Sequence, residues 1–201
     1  TDITAQVLKF VVRTIFIYKL GSEYLGINGL FTNILTMLSL AELGIGSALN
    51  YNLYKSLYDN DIYKTSQLMR FYKKAYFVIG LIIAIVGLSL IPLLPILINE
   101  YESIGTLGIN AVVIYILYLF QTIASYWFFA YKSAIIKADQ KEYKVNIVLT
   151  FSTIITSTLQ IIVLLIVPKL ELYTLVSIIV IIIQNLVISR ISKKMYPLVD
   201  E

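Results

Sequence analysis

Residues 75–99, AYFVIGLIIAIVGLSLIPLLPILIN, contain no charged side chain. About 20 mostly apolar residues suffice for a helix to cross a bilayer, and this run exceeds that length. The rest of the chain points the same way. It is 59% hydrophobic and 14% charged, with a mean hydropathy of +0.84, whereas a soluble domain carries about 45–50% apolar and about 25% charged residues. The apolar runs are too long for barrel strands and do not alternate as such strands do. The expected fold class is therefore all-α, a polytopic membrane helix bundle.

Six segments qualify as spans, at about residues 3–20, 25–50, 75–98, 106–131, 145–167 and 171–189. The first is the poorest, because it contains Lys9 and Arg13. Pro92 and Pro95 predict a kink near the outer end of the third, which neighbouring helices tolerate. The stretch DIYKTSQLMRFYKK before it reads as a short surface helix with Leu68, Phe71 and Tyr72 toward the membrane. The chain opens on Thr1, with no charged leader or cleavage site before the apolar stretch. It reads as a fragment that begins just inside a first span.

The basic residues orient the bundle. Lys55, Lys64, Arg70, Lys73 and Lys74 fall in one connection, Lys132, Lys137, Lys141 and Lys144 in another, and Arg190, Lys193 and Lys194 at the C-terminal end. Only Lys19 and Lys169 fall on the opposite side. The positive-inside rule then places both long connections and both ends of the segment in the cytoplasm of a cell-membrane protein. The net charge of +4 is a topology signal, and no nucleic-acid partner is expected. Tyr51, Tyr54, Tyr76, Tyr126, Trp127 and Tyr131 fall near inner boundaries, and Tyr18, Tyr24 and Tyr173 near outer ones, where amphipathic rings gather.

Polar residues inside the spans form stripes. At about 100° per residue, Asn28, Thr32, Thr36, Ser39, Glu42, Gly46 and Asn50 share one face of span two. Asp2, Gln6, Lys9 and Arg13 share a face of span one, and Asn146, Thr150, Thr153, Ser157 and Gln160 a face of span five. Span four offers Tyr115, Tyr118, Thr122 and Ser125, while spans three and six read as mostly apolar all round. A charge at mid-helix costs about 2.5–3.5 kcal/mol on insertion scales, so Lys9, Arg13 and Glu42 should face a bundle interior or a watery cavity. By helical rise Arg13 sits about 10 Å below the outer end and Glu42 about 25 Å below it. Lys9 lies between them and is the nearer partner for Glu42, leaving Arg13 freer to meet a ligand anion. Two readings stand side by side: a Glu42–Lys9 pair that fixes helix packing, or a cavity lined by Arg13, Lys9, Glu42, Asn28, Thr32, Ser39 and Asn50. The serines and threonines of spans four and five also suit simple helix packing.

Catalytic patterns are scarce. Without Cys or His the chain lacks thiol chemistry, the usual zinc ligands and a Ser–His pair. Asp59 and Asp61 read as a turn and a helix cap. Gly44 and Gly46 follow no strand, and Leu49 stands where a phosphate-binding loop needs a third glycine. Ala41, Gly44 and Ala48 instead form a small-residue row suited to close helix approach. No metal, no cofactor and no enzyme activity are expected.

The block RTIFIYKLGSEYLGINGLFTNILTMLSLAELGIGSALNYNLYK, from Arg13 to Lys55, resembles the start of Wzx-type polysaccharide flippases of the multidrug/oligosaccharidyl-lipid/polysaccharide exporter superfamily. SLYDNDIYKTSQLMRFYKKAYFVIG resembles their next loop and third helix, and FFAYKSAIIKADQKEYKVN fits their fourth-to-fifth loop. The resemblance is dense to about Pro95 and rests on hydropathy and spacing beyond it. It implies the N-terminal lobe of a MATE-like transporter of twelve to fourteen helices, here a single lobe over residues 1–201. It also implies undecaprenyl-pyrophosphate-linked oligosaccharide as the substrate, flipped by alternating access for surface polysaccharide synthesis. The implied partners are the lipid bilayer, a C-terminal lobe of the same protein and a polysaccharide polymerase. Arg13 and Lys9 would attract the pyrophosphate or acidic sugars, and Glu42 is a candidate ion-coupling residue. The competing expectations are a cation-coupled multidrug exporter of the same superfamily, a membrane enzyme of lipid or cell-wall synthesis, and a scaffold that transports nothing.

Overall fold

The computed structural model describes the backbone of residues 3–39, 43–97 and 110–199, and the side chains of residues 5–38, 51–96 and 110–199. Its helices are α1 (Ile3–Leu20), α2 (Ser22–Ser39), α3 (Leu43–Tyr58), α4 (Ile62–Ser89), α5 (Leu94–Leu97), α6 (Ala111–Trp127), α7 (Lys132–Ala138), α8 (Glu142–Ile166) and α9 (Leu170–Met195). There is no strand among the described residues. The described residues thus form an all-helical fold, as the apolar runs require.

Turn chemistry sets the boundaries. Gly21, at φ 102°, links α1 to α2, and its N–H donates to the Ile17 carbonyl at 2.9 Å. That left-handed C-cap is a conformation glycine adopts without cost. Asn60, at φ 54°, turns α3 into α4, and the Asp61 carboxylate caps α4 by accepting from the Lys64 N–H at 2.9 Å. The connection expected between Lys55 and Lys74 therefore shrinks to residues 59–61. No proline or glycine falls between Asp61 and the apolar run, so the expected surface helix and span three as far as Ser89 are one continuous α4. Leu90 closes it, and Pro92 sits in a tight turn at Ile91–Leu93 before α5. At the other end of the bundle α6 stops at Trp127. Phe129, at φ 61°, redirects the chain by 51° into α7, so the expected loop at 132–144 is partly helical.

Three helical segments are long and apolar enough to cross a membrane: 62–96, 142–166 and 170–195. Bent α6 and α7 taken together make a fourth. Their apolar windows are only 28%, 22% and 33% buried in the three single segments. Ile85 of α4, Ile162 of α8 and Ile183 of α9 are all exposed. Apolar helices that bury so little of themselves against protein suit a bilayer. Helices α1 and α2 fall outside this set for a physical reason. Lys9, Arg13 and Lys19 charge α1, and Asn28, Thr32, Asn33 and Thr36 dilute α2.

Packing joins the helices in the order α1, α8, α9, α6, α4, α3. Helix α2 rests on α1, α4 and α6, and α7 wedges among α3, α8 and α9. One core cluster sits where α2, α4 and α6 meet. Phe31 and Tyr115 are fully buried there, rings edge-on at 5.3 Å, and the Tyr115 hydroxyl donates to the Gly87 carbonyl at 2.9 Å. Helices α4 and α6 approach closely at Gly80, where a methyl group would strike the Trp127 indole. That indole stacks on Phe77 at 5.3 Å and donates to the Phe77 carbonyl at 3.1 Å.

A second cluster packs Leu53, Met69, Tyr72, Ile135 and Ile188 around α7. One aromatic expectation is corrected by it. Tyr72 faces this core and not the membrane, leaving Phe71 exposed. Tyr126 and Tyr131 are buried, whereas Tyr18 and Tyr51 are exposed.

Beside this cluster the α7–α8 turn is pinned to the C-terminal end. Asp139 accepts from both Lys141 Nζ and the Tyr196 hydroxyl, each at 2.6 Å. Burial alone raises the Asp139 carboxyl, but these two hydrogen bonds and the Lys141 and Lys144 charges hold it below its ordinary 3.8, while burial and the carboxylate push Tyr196 up. A carboxyl lowered in the folded state stabilises fully at neutral pH, and that contribution is lost as pH falls from about 4 through the folded value. Thermal melts from pH 7 to pH 3 should show Asp139→Asn less stable at pH 7 by about 1 kcal/mol, after allowance for partial solvent screening. The difference should narrow toward the acid end. A constant difference across that range would mean that the charge of Asp139 is irrelevant.

Candidate functional site

Helix α1 is helical through its charged residues, and 3.6-residue periodicity puts Lys9 and Arg13 one turn apart on one side. Val12 and Phe16, both buried, lie on the same side and line the same cavity, and Phe16 meets Tyr173 of α9 edge-on at 5.0 Å. Packing of α1 on α8 sets the two cations beside the polar stripe of α8. The result is a cavity of about 690 Å³ between α1, α2, α8 and α9, which Gln121 of α6 also reaches. That size lies within the usual range for small-ligand sites, about 300–1,000 Å³.

The wall chemistry is uneven in a useful way. Lys9 and Arg13 are the charged residues that line the cavity. Neither has an ion-pair or hydrogen-bond partner among the described residues. The described carboxylates, Glu23, Asp59, Asp61, Asp139, Glu142 and Glu171, all lie at helix starts or turns. Two like charges one turn apart repel each other, so an anion placed between them relieves repulsion and gains two charge-assisted contacts. The remaining polar lining is uncharged: Asn28, Thr32 and Asn33 on α2, Ser157 and Gln160 on α8, and Ser177 and Gln184 on α9.

Several of these side chains are braced from behind. The Asn28 carbonyl oxygen accepts from the Tyr118 hydroxyl at 2.6 Å and from the Thr32 hydroxyl at 3.4 Å. The amide N–H groups of Asn28 have no partner among the described residues. Gln160 donates to the Ser177 hydroxyl at 2.9 Å and to the Tyr173 carbonyl at 3.4 Å, tying α8 to α9. Thr32 receives no such support beyond its own helix, where its carbonyl accepts from Thr36 at 2.7 Å. The arrangement can hold a polyhydroxylated anion through two cations and a ring of amides and hydroxyls. Among the described residues no three acidic, His or Cys side chains gather as a metal site would require.

Of the residues singled out in the sequence, Lys9, Arg13, Asn28 and Thr32 line one cavity, and Thr153, Ser157 and Gln160 join them. Glu42 lies outside the described residues, and so does its pairing with Lys9. Ser39 and Asn50 end α2 and continue α3 in backbone, but their side chains are also outside that set, as is the row at Ala41, Gly44 and Ala48. Two readings are corrected. Span four does not offer Tyr115 and Tyr118 to a cavity. Their rings fill the core against α2, because a buried phenol is satisfied by one hydrogen bond and keeps its apolar body packed. Gln121 lines the cavity in their place. Span six is not featureless either, for Ser177 and Gln184 of α9 face the site. Their seven-residue spacing was a readable signal, masked by apolar residues on every other face.

Comparisons with protein-family models, with curated proteins and with solved structures each return no match.

Proposed function

We propose that the chain is a lobe of a transporter that carries the polar headgroup of a lipid-linked oligosaccharide across the cytoplasmic membrane by alternating access. The observation that carries this reading is the cavity holding Lys9 and Arg13 with no acid among the described residues, walled by amides and hydroxyls, inside a bundle whose outer helices are apolar. A flippase must shelter a charged, hydroxyl-rich headgroup while its lipid tail stays in the bilayer, and such a cavity does the first without breaking any bond. The expected substrate is an undecaprenyl-pyrophosphate-linked repeat unit, whose pyrophosphate suits the two cations. The resemblance of residues 13–55 to polysaccharide flippases supports the same reading.

Six spans follow from this proposal. Helices α1 and α2 cross the membrane because they pack inside the bundle with their polar faces on the cavity, an arrangement membrane helices use for ionisable residues. At 1.5 Å per residue, 18-residue α1 is about 27 Å long, close to the bilayer core of about 30 Å. The positive residues at the 55–74, 132–144 and 190–194 ends put those ends in the cytoplasm. The cavity charge opposes a cationic-drug exporter.

The test is complementation by the full-length gene, together with its matching repeat unit, in a strain whose own flippase is deleted. Surface polymer should return and cytoplasm-facing lipid-linked intermediate should fall. Failure at normal membrane protein levels would discard the flippase reading.

A further inference from the structure

A second polar cleft, of about 330 Å³, lies between α1 and α8. Its polar lining is Gln6, Lys9, Asn146, Thr150 and Thr153. Lys9 and Thr153 also line the larger cavity, so the two spaces share a wall and a cation. Along α1, Gln6 and Arg13 are about 10 Å apart by helical rise, and along α8, Asn146 and Gln160 about 21 Å. The two spaces thus make one trough, with its cations on α1 and neutral polar groups reaching past them at the α8 start.

The cleft differs from a packed polar seam in what its side chains do. Thr153 and Thr158 return their hydroxyls to carbonyls of their own helix at 2.9 Å. Thr150 does not, and Gln6, Asn146 and Thr150 have no hydrogen-bond partner among the described residues. Amides and hydroxyls both donate and accept. A phosphate oxygen only accepts, so half of this capacity is wasted on phosphate. Sugar hydroxyls donate and accept in the same way. At its size the cleft lies at the small end of ligand sites.

We propose that the α1–α8 cleft is a neutral-sugar subsite of the anion cavity. Lys9 and Arg13 hold the phosphate end of the ligand, and Gln6, Asn146 and Thr150 bind hydroxyls of the sugars attached to it. This rests on the lipid-linked oligosaccharide reading above and adds where the sugars go.

The experiment compares two probes on the full-length protein in nanodiscs: undecaprenyl pyrophosphate without sugar, and the same lipid carrying a neutral trisaccharide. Gln6→Leu, Asn146→Leu and Thr150→Val should each weaken the trisaccharide lipid about 3- to 10-fold, the loss of one hydrogen bond. They should leave the bare lipid unchanged. Thr150→Ser, which keeps the hydroxyl, should restore the wild-type ratio, and Arg13→Ala should weaken both lipids. An unchanged ratio in all three variants overturns the subsite and leaves the flippase reading standing. If the unmutated protein binds neither lipid, the lipid-linked reading fails and the subsite falls with it.

Discussion

Arg13→Ala in the full-length protein should lower affinity for undecaprenyl pyrophosphate by on the order of 10- to 100-fold, the value of a hydrogen bond to a charged group. Arg13 lines the cavity, is exposed to it and has no acidic partner among the described residues. Removing it therefore orphans no carboxylate among the described residues, and the loss measures ligand contact and not damage to the fold. Thermal stability should accordingly stay within about 0.5 kcal/mol of the unmutated protein. Arg13→Lys keeps the charge but loses the planar fork that grips phosphate oxygens in pairs, so it should recover only part of the affinity. Cells carrying Arg13→Ala should lose surface polymer and accumulate lipid-linked intermediate at normal protein level. Normal polymer with Arg13→Ala would remove this residue from transport. A large drop in melting temperature would instead make it a packing residue.

How much of this was legible beforehand depends on what each residue answers to. The apolar runs answer to the solvent, so the helices at 62–96, 142–166 and 170–195 were readable from composition and length. The stripe on α8 was readable because Thr153, Ser157 and Gln160 recur at helical spacing. What failed was partner assignment. Tyr115 and Tyr118 share a polar label with Thr122, yet a phenol carries enough apolar surface to prefer the core when one acceptor is near. Gly87 O and Asn28 Oδ1 supply those acceptors from other helices. A single-helix projection contains no information about either. The length of α4 was missed for the opposite reason. The charged stretch from Asp61 to Lys74 was read as a separate surface helix, although no proline or glycine interrupts it before the apolar run.

Phe31→Ala should destabilise the bundle by roughly 2–3 kcal/mol. In a water-soluble core such a truncation costs about 3–5 kcal/mol. Part of that is transfer of apolar surface from water, a term that shrinks when lipid replaces water, because lipid tails are as apolar as the side chain. The hole and the lost dispersion contacts remain. Phe31 is fully buried against Tyr115 at 5.3 Å and Tyr118 at 6.0 Å, so no neighbour is free to collapse into the gap. Ile85→Ala on the exposed side of α4 is the control. Ile85 is 60% exposed, and its loss should stay within about 0.5 kcal/mol. The consequence for the site follows from Tyr118, which Phe31 holds in place and which in turn braces Asn28. Phe31→Ala should therefore weaken lipid binding a few-fold as well, while Phe31→Leu refills most of the space and restores both properties. Equal melting temperatures for Phe31→Ala and Ile85→Ala would show that the α2–α6 seam does not hold the cavity wall. Loss of stability with unchanged binding would show that the brace on Asn28 is dispensable.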